Sequence, residues 1–179
     1  RGALRAQLLA AMVREQLRVT AHEASSAGLD FSISPSPRGL DLALFGFSQH
    51  AAELAATVLR SLRRLEPNGP RYVAQKERLR RGLADASKAA AHAHASAQSA
   101  HLLRKIHFEP PALLDELGRT SEEDVREYAG ALFSKCHVEM LVVGNLDAAA
   151  AKALLGKARD ELGGSPLPRA ERPAQAVAD

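Results

Sequence analysis

The sequence has little of several residue types that commonly build functional sites. Aromatic residues make up only 4% of the 179 residues, tryptophan is absent, and Cys136 is the one cysteine. A single cysteine excludes an internal disulfide bond and a zinc centre built from several thiolates. Because no run of about 18 apolar residues occurs, the sequence also predicts no membrane-spanning helix.

The sequence also lacks a strong charge of one sign. Its formal net charge is only +3, which is too small to indicate a nucleic-acid-binding protein. Hydrophobic residues at 46% and charged residues at 25% are typical of a soluble globular chain with one core. The chain begins "RGALRAQLLAAM", without an initiator methionine or the apolar core of a signal peptide. We therefore expect a soluble fragment of a larger protein, with no targeting segment in it and in a compartment that the sequence leaves open.

Positive charge is concentrated between Arg60 and Arg81, and an acidic stretch follows between Asp115 and Glu127. A candidate basic contact patch consists of Arg60, Arg63, Arg64, Arg78 and Arg81. We interpret the two stretches as solvated helix faces or as one complementary contact between them. A polyanion-binding patch is less favoured, because no stacking aromatic residues or nucleic-acid motif accompany the arginines.

The first third of the chain predicts a helix followed by a β-hairpin. Apolar residues recur at helical spacing from Leu4 to Leu17, and Gly28 is typical of a helix end. The segments "LDFSIS" and "LDLAL" each alternate apolar and polar residues, and "SPSPRG" between them has the composition of a turn. This hairpin is the clearest local prediction in the sequence.

Several helices are predicted in the middle of the chain. Ser48 is expected to cap one helix, and Pro70 lies at the first turn of a longer one that has a kink near Ala90. A short helix enters through "FEPP", and Thr120 with Glu123 is expected to form the capping box of the next helix.

The stretch "CHVEMLVVGNLDAAAAKALL" predicts a strand at 136–143, a turn and a helix at 147–162. Its single glycine at Gly144 matches neither a Walker loop nor a dinucleotide-binding turn, and Asp147 would repel a phosphate. We therefore interpret Gly144 and Asn145 as a turn, with Asn145 or Asp147 capping the helix.

The order of these elements predicts an α+β fold in which several helices pack on one face of an antiparallel sheet. One domain is expected at residues 1–162, and residues 163–179 read as a linker or tail. Three strands make a thin sheet, so we expect a strand or two to come from sequence before Arg1.

No self-contained active site is predicted. "HEASS" begins like a zinc helix at His22 but has Ser26 where the second histidine belongs. Cys136 falls on the apolar alternation of its strand, where a thiol is usually inert, and no G-x-S-x-G motif occurs. The sequence thus predicts no catalytic residue and no metal-binding residue in this chain.

The ordered elements resemble the pitrilysin–insulysin family of zinc metallopeptidases. The likeness rests on the helix ending in "AGL", the hairpin ending in "FGF" and the late "HVEMLVVGN", and it covers about residues 4–162. His92 and His94 also fall where a comparable polar patch occurs in insulin-degrading enzymes.

The resemblance implies a catalytically silent domain. Such enzymes contain four related domains in two halves that close around a chamber, and only the first carries the H-x-x-E-H zinc motif. This sequence lacks that motif and its downstream glutamate, so it looks most like the third domain. The resemblance implies a wall of the peptide chamber, contacts with other domains of the same polypeptide, and zinc only in the catalytic domain of the parent.

One face of the sheet is a candidate chamber lining or domain interface. If the hairpin and the late strand lie in phase, they share a polar face formed by Asp30, Ser32, Ser34, Asp41, His137 and Glu139. The opposite, apolar face is expected to pack on the helices. Plain solvent exposure is the alternative for the polar face. A substrate peptide could also add to an open sheet edge.

Two other functions stay open at this point. The chain could be a stand-alone helical adaptor that binds acidic partners through the Arg60–Arg81 cluster. It could also be a non-catalytic subunit of an assembly like the mitochondrial processing peptidases, which needs a partner chain with the zinc motif.

Overall fold

Helices form most of the regular structure. The computed structural model describes residues 2–36, 39–66, 68–103 and 109–172. The helices within these residues are α1 (Gly2–Gln16), α2 (Arg18–Ser26), α3 (Ala51–Arg63), α4 (Gly69–Asp85), α5 (Ala91–Leu103), α6 (Pro110–Arg119), α7 (Glu122–Ser134) and α8 (Ala148–Leu162). The strands are β1 (Leu29–Ser36), β2 (Gly39–Gly46), β3 (Lys135–Cys136) and β4 (Ser165–Pro166), and short 3₁₀ turns lie at Ala86–Lys88 and Arg169–Glu171. The predicted α+β class is confirmed.

Helix α1 lies at the centre of the core. Leu4, Leu8 and Met12 recur at helical spacing and are fully buried, as are Leu9 and Val13 beside them. Around α1 pack α3, α4, α6, α7 and the hairpin strand β1. The same apolar cluster includes Leu162 at the end of α8. The core is therefore built mainly from leucine side chains of helices that surround one central helix.

The predicted hairpin is confirmed. Strands β1 and β2 pair antiparallel from Leu29 opposite Gly46 to Ser36 opposite Gly39. Because paired residues of an antiparallel ladder lie on the same face, Leu29 and Ile33 are buried against the helices while Asp30 and Ser32 are exposed. The helices thus cover one face of this sheet and leave the other face open.

Two glycines let the hairpin base close tightly. Gly28, just after α2, and Gly46, at the end of β2, have φ angles of 77° and 119°, which side-chain-bearing residues rarely adopt. A Cβ atom on Gly46 would overlap the carbonyl oxygen of Gly28, so the two backbones touch there. The predicted role of Gly28 at the helix end is consistent with this geometry.

Two predicted helix caps are wrong by a few residues. Ser48 does not cap α3, because its carbonyl accepts a hydrogen bond from the Ala51 N–H in a turn that precedes the helix. Thr120 and Glu123 do not form the capping box of α7. Ser121 and Asp124 form it instead, since the Thr120 hydroxyl already donates to the Glu116 carbonyl at the end of α6.

The predicted strand at 136–143 is largely absent. Regular pairing is limited to Lys135 and Cys136, which lie parallel to Ser165 and Pro166. The two sheets each have two strands among the described residues, and the hairpin is separate from β3. A strand exists only where a neighbouring backbone exchanges hydrogen bonds with it, and among the described residues β3 and β4 pair only over Lys135–Cys136 and Ser165–Pro166. The assumption that three strands lie in phase is therefore wrong for these residues.

The predicted turn and final helix are confirmed. Gly144 has a φ angle of 128°, and the Asp147 side chain accepts a hydrogen bond from the Ala150 N–H at the start of α8. The predicted linker begins with β4, which pairs with β3, and its residues 173–179 lie outside the described part of the chain. The division at residue 162 stays a prediction.

Helices α4 and α5 lie on either side of Ala90. Helix α4 ends at Asp85 and α5 begins at Ala91, so the helical path is interrupted where a kink was predicted. The side chains described on α5 are exposed, apart from the half-buried Ala93. Within the described ranges, no helix has both the length and the apolar character needed to cross a bilayer.

Candidate interaction surfaces

The open face of the hairpin carries four of the predicted polar residues. Asp30, Ser32, Ser34 and Asp41 are all exposed, and Ser34 lies directly opposite Asp41. The register therefore brings these four side chains to one face, as the alternation predicted. Their role as a chamber lining or interface stays a prediction.

His137 and Glu139 lie elsewhere. They follow β3, in a segment that belongs to no sheet among the described residues, and His137 Nε2 is 3.2 Å from Glu139 Oε1. The structure thus does not join them to the hairpin residues on one sheet face.

Sequence reasoning missed several exposed apolar side chains near these polar residues. Phe45 and Phe47 at the end of β2 are 62% and 67% exposed, and Leu141 and Val143 are 89% and 85% exposed. An apolar residue at the outward position of a strand was the available signal, since it breaks the alternation. Large exposed apolar side chains that lie close together commonly mark interaction sites.

The segment 137–143 combines exposed apolar side chains with backbone that belongs to no strand pair among the described residues. Val138 packs against the core, while Leu141 and Val143 point outward. Among the described residues, no backbone–backbone hydrogen bond involves the N–H or C=O groups of 140–143. Such a segment is an open template for strand pairing.

The first half of the predicted basic patch lies at the end of α3 and contacts α8. Arg60 donates to both carboxylate oxygens of Glu161, at 2.6 and 3.2 Å, and Arg63 donates to the Glu161 carbonyl at 3.3 Å. Arg60, Arg64 and Arg63 together hold the pKa of the Glu161 carboxyl below its usual range, mainly through the Arg60 hydrogen bonds. These arginines thus serve a helix–helix contact inside the chain.

The second half of the patch lies on α4. Arg80 and Arg81 donate to Glu77, one turn away, at distances between 2.7 and 3.0 Å, and Arg78 is exposed. These hydrogen bonds lower the pKa of Glu77 to about 2. Among the described residues, no direct hydrogen bond between α3 and α4 joins the two halves of the patch. The patch as a partner-binding site stays a prediction.

The described residues do not form a group that fits a zinc ion. Among the described residues, no three histidine, cysteine, aspartate or glutamate side chains are grouped so that they could hold a metal ion. Burial raises the pKa of the Cys136 thiol, which favours the weakly nucleophilic protonated form at neutral pH. We therefore derive no metal-dependent or thiol-dependent step for this chain.

The fold matches one part of a solved structure. The crystal structure of pitrilysin superposes on 90% of this chain with a TM-score of 0.84, at 22% sequence identity and over 17% of the pitrilysin chain. This likeness establishes the fold alone.

Relatives in sequence carry peptidase names. An insulin-degrading enzyme-like 2 protein of Arabidopsis thaliana is 25% identical over 83% of this chain and 15% of its own length. A nardilysin-like protein of the same plant is 26% identical over 94% of this chain and 16% of its own length. A putative zinc protease, mug138, of Schizosaccharomyces pombe is 26% identical over 87% of this chain and 16% of its own length.

The family follows from a match that spans more than half of the chain. The sequence profile described as the middle or third domain of peptidase M16 matches residues 1–116. The chain therefore belongs to the peptidase M16 family, as the resemblance to pitrilysin and insulysin predicted. It spans about a sixth of the length of the relatives named above.

Proposed function

We propose that this chain is a catalytically silent domain of a pitrilysin-type zinc metallopeptidase. Its match to the middle or third domain of the family carries the proposal. In this proposal the zinc and the peptide-bond hydrolysis belong to another domain of the parent polypeptide. The chain contributes contacts to neighbouring domains and part of the wall of a peptide chamber.

The contact role is supported by the segment 137–143. Leu141 and Val143 expose apolar surface, and the backbone of 140–143 forms no backbone–backbone hydrogen bond among the described residues. A strand from elsewhere in the parent polypeptide would satisfy both at once, since it would pair the backbone and cover the side chains.

The contact role is tested with an aspartate at Leu141 in the parent polypeptide. If a neighbouring strand covers this side chain, Leu141→Asp buries a charge and lowers the melting temperature of the parent by several degrees. Val73→Asp is the matched control, because Val73 is also exposed but lies on α4. Equal melting temperatures for the two variants would contradict the contact.

The chamber role is supported by the open face of the hairpin, where Asp30, Ser32, Ser34 and Asp41 are exposed. Hydrogen exchange on the parent polypeptide, with and without a bound substrate peptide, tests this role. We expect slower exchange in β1 and β2 when the peptide is bound. No change in either strand would rule the chamber role out.

The two alternative functions have weaker support. The adaptor that binds acidic partners needs free arginines, but Arg60 and Arg81 engage Glu161 and Glu77. Nothing in the geometry favours a separate subunit of a processing-peptidase-like assembly over a domain of one polypeptide. Both stay predictions from the sequence.

A further inference from the structure

The base of the hairpin carries an aromatic surface that the polar-face proposal does not use. Phe45 and Phe47 expose most of their side chains within three residues of each other. Phe47 also lines a shallow groove of about 370 Å³ together with Ala27, Leu29, Gln49 and His50. We call Phe45, Phe47 and this groove the phenylalanine surface.

The backbone fixes the position of this surface. The Phe47 N–H donates to the carbonyl of Gly28, and the Phe47 ring packs directly over Gly28, where a Cβ atom would leave no room. Gly46, between the two phenylalanines, touches the Gly28 backbone. The Phe47 ring therefore lies against the Gly28 backbone at a place that only a glycine leaves open.

Acidic groups border the phenylalanine surface. Asp30 lies directly opposite Phe45 in the hairpin and next to Leu29, which lines the groove. On the other side of the groove, Glu53 Oε2 is 3.1 Å from His50 Nδ1. The described residues of the open hairpin face carry carboxylates and hydroxyls and no lysine or arginine. The electrostatic complement of this surface is a cation next to an apolar group.

We propose that the phenylalanine surface binds an extended peptide segment in which an arginine or lysine stands two residues from an apolar residue. The apolar side chain lies against Phe45 and Phe47, and the cation lies beside Asp30. This proposal rests on the proposed chamber function and specifies the substrate chemistry that this wall of the chamber selects. Because successive side chains of an extended peptide point to opposite sides, residues two apart face the same surface and can contact the phenylalanines and Asp30 together.

The test measures binding of two peptides to the parent polypeptide, with a zinc chelator present to prevent hydrolysis. One fluorescent decapeptide has arginine and leucine two residues apart with serine between them, and in the other glutamate replaces each arginine. Phe45→Ser and Asp30→Asn are the variants, since both side chains are exposed and their loss leaves the core unchanged. Val73→Ser is the control for loss of an exposed apolar side chain.

We expect the arginine peptide to bind more tightly than the glutamate peptide. Loss of the apolar contact in Phe45→Ser should weaken the arginine peptide about fivefold. Loss of an exposed charge in Asp30→Asn should weaken it about threefold and reduce the preference over the glutamate peptide. Val73→Ser should bind like the parent, and the bound peptide should slow amide exchange at residues 43–47.

Four results would overturn the proposal. Unchanged affinity in both variants would place the peptide elsewhere, and the chamber function would stand without this surface. Equal binding of both peptides would remove the charge selection. Protection of residues 43–47 before any peptide is added would show that a neighbouring domain covers the surface. Failure of the parent to bind either peptide would count against the chamber function as well.

Discussion

Arg60 of α3 donates hydrogen bonds to both carboxylate oxygens of Glu161 of α8, although the two residues are 101 positions apart in the sequence. Beside this pair, Arg63 donates to the carbonyl of the same glutamate. The contact joins the last helix to the helix that follows the hairpin. Arg60 and Arg63, which the sequence suggested as part of a basic contact patch, therefore hold α3 and α8 together.

The corrected helix caps predict different responses to two serine substitutions. Ser121→Ala should cost about 1 kcal/mol of stability, because it removes the side chain that accepts from the Asp124 N–H. Ser48→Ala should change the free energy of unfolding by less than about 0.5 kcal/mol, because only its backbone is used. Urea unfolding of both variants checks this, and equal losses would contradict the assignment.

The two-glycine contact at the hairpin base predicts a large effect of a single methyl group. Gly46→Ala combines an unfavourable φ with overlap on Gly28, so it should cost at least about 2 kcal/mol. Gly39→Ala is the matched control, since Gly39 also has positive φ, at 145°, but has open space around it. The alanine at 46 should destabilise the fold more than the alanine at 39 in thermal unfolding.

Glu77 predicts a defined pH dependence. Its pKa of about 2 in the folded state lies below the ordinary value of 4.5 because Arg80 and Arg81 donate hydrogen bonds to it. Its contribution to stability is therefore complete above pH 4.5 and is lost as the pH falls through 2.

Glu77→Gln should accordingly lower the melting temperature slightly at neutral pH and not at all near pH 2. The effect is small because the group is exposed, and high salt should reduce it further. Melting curves from neutral to acidic pH provide the measurement. A melting-temperature difference between Glu77→Gln and the unsubstituted protein that grows toward low pH would contradict this prediction.

The central position of α1 predicts a steep contrast between two leucines. Leu8→Ala should cost about 2–5 kcal/mol, because Leu8 is fully buried and its removal leaves a cavity. Leu141→Ala should stay within about 0.5 kcal/mol in the isolated chain, where the side chain is exposed. Chemical unfolding checks both, and similar losses would show that Leu141 has a partner within this chain.

The sequence predicted the elements that depend on local pattern. The alternation around Ile33 and the turn composition after it were sufficient for the hairpin, and the spacing of Leu4 and Leu8 was sufficient for α1. The cap at Thr120 was wrong because Ser121 beside it has the same hydroxyl chemistry, and only the path of the backbone selects between them. The cap at Ser48 was wrong because a turn separates it from α3, whose N-cap position is His50.

Features that depend on distant partners were beyond the sequence. A strand at 136–143 needs a neighbour, and the alternation of Val138 and Met140 shows a face without showing what pairs with it. The phenylalanine surface was missed because the place of Phe47 depends on the Gly28–Gly46 contact, which joins residues 18 positions apart. The sequence likewise does not reveal the role of the polar hairpin residues.

Helix α5 has a consequence for proteolysis. A short helix whose described side chains face solvent gains little from tertiary packing and opens readily. A protease should therefore cut between Ala91 and Leu103 before it cuts the core helices. The two pieces should stay together, because Lys76 and Tyr72 of α4 both donate to the Thr120 carbonyl beyond α6. The molecule would then persist as a nicked but folded complex of two fragments.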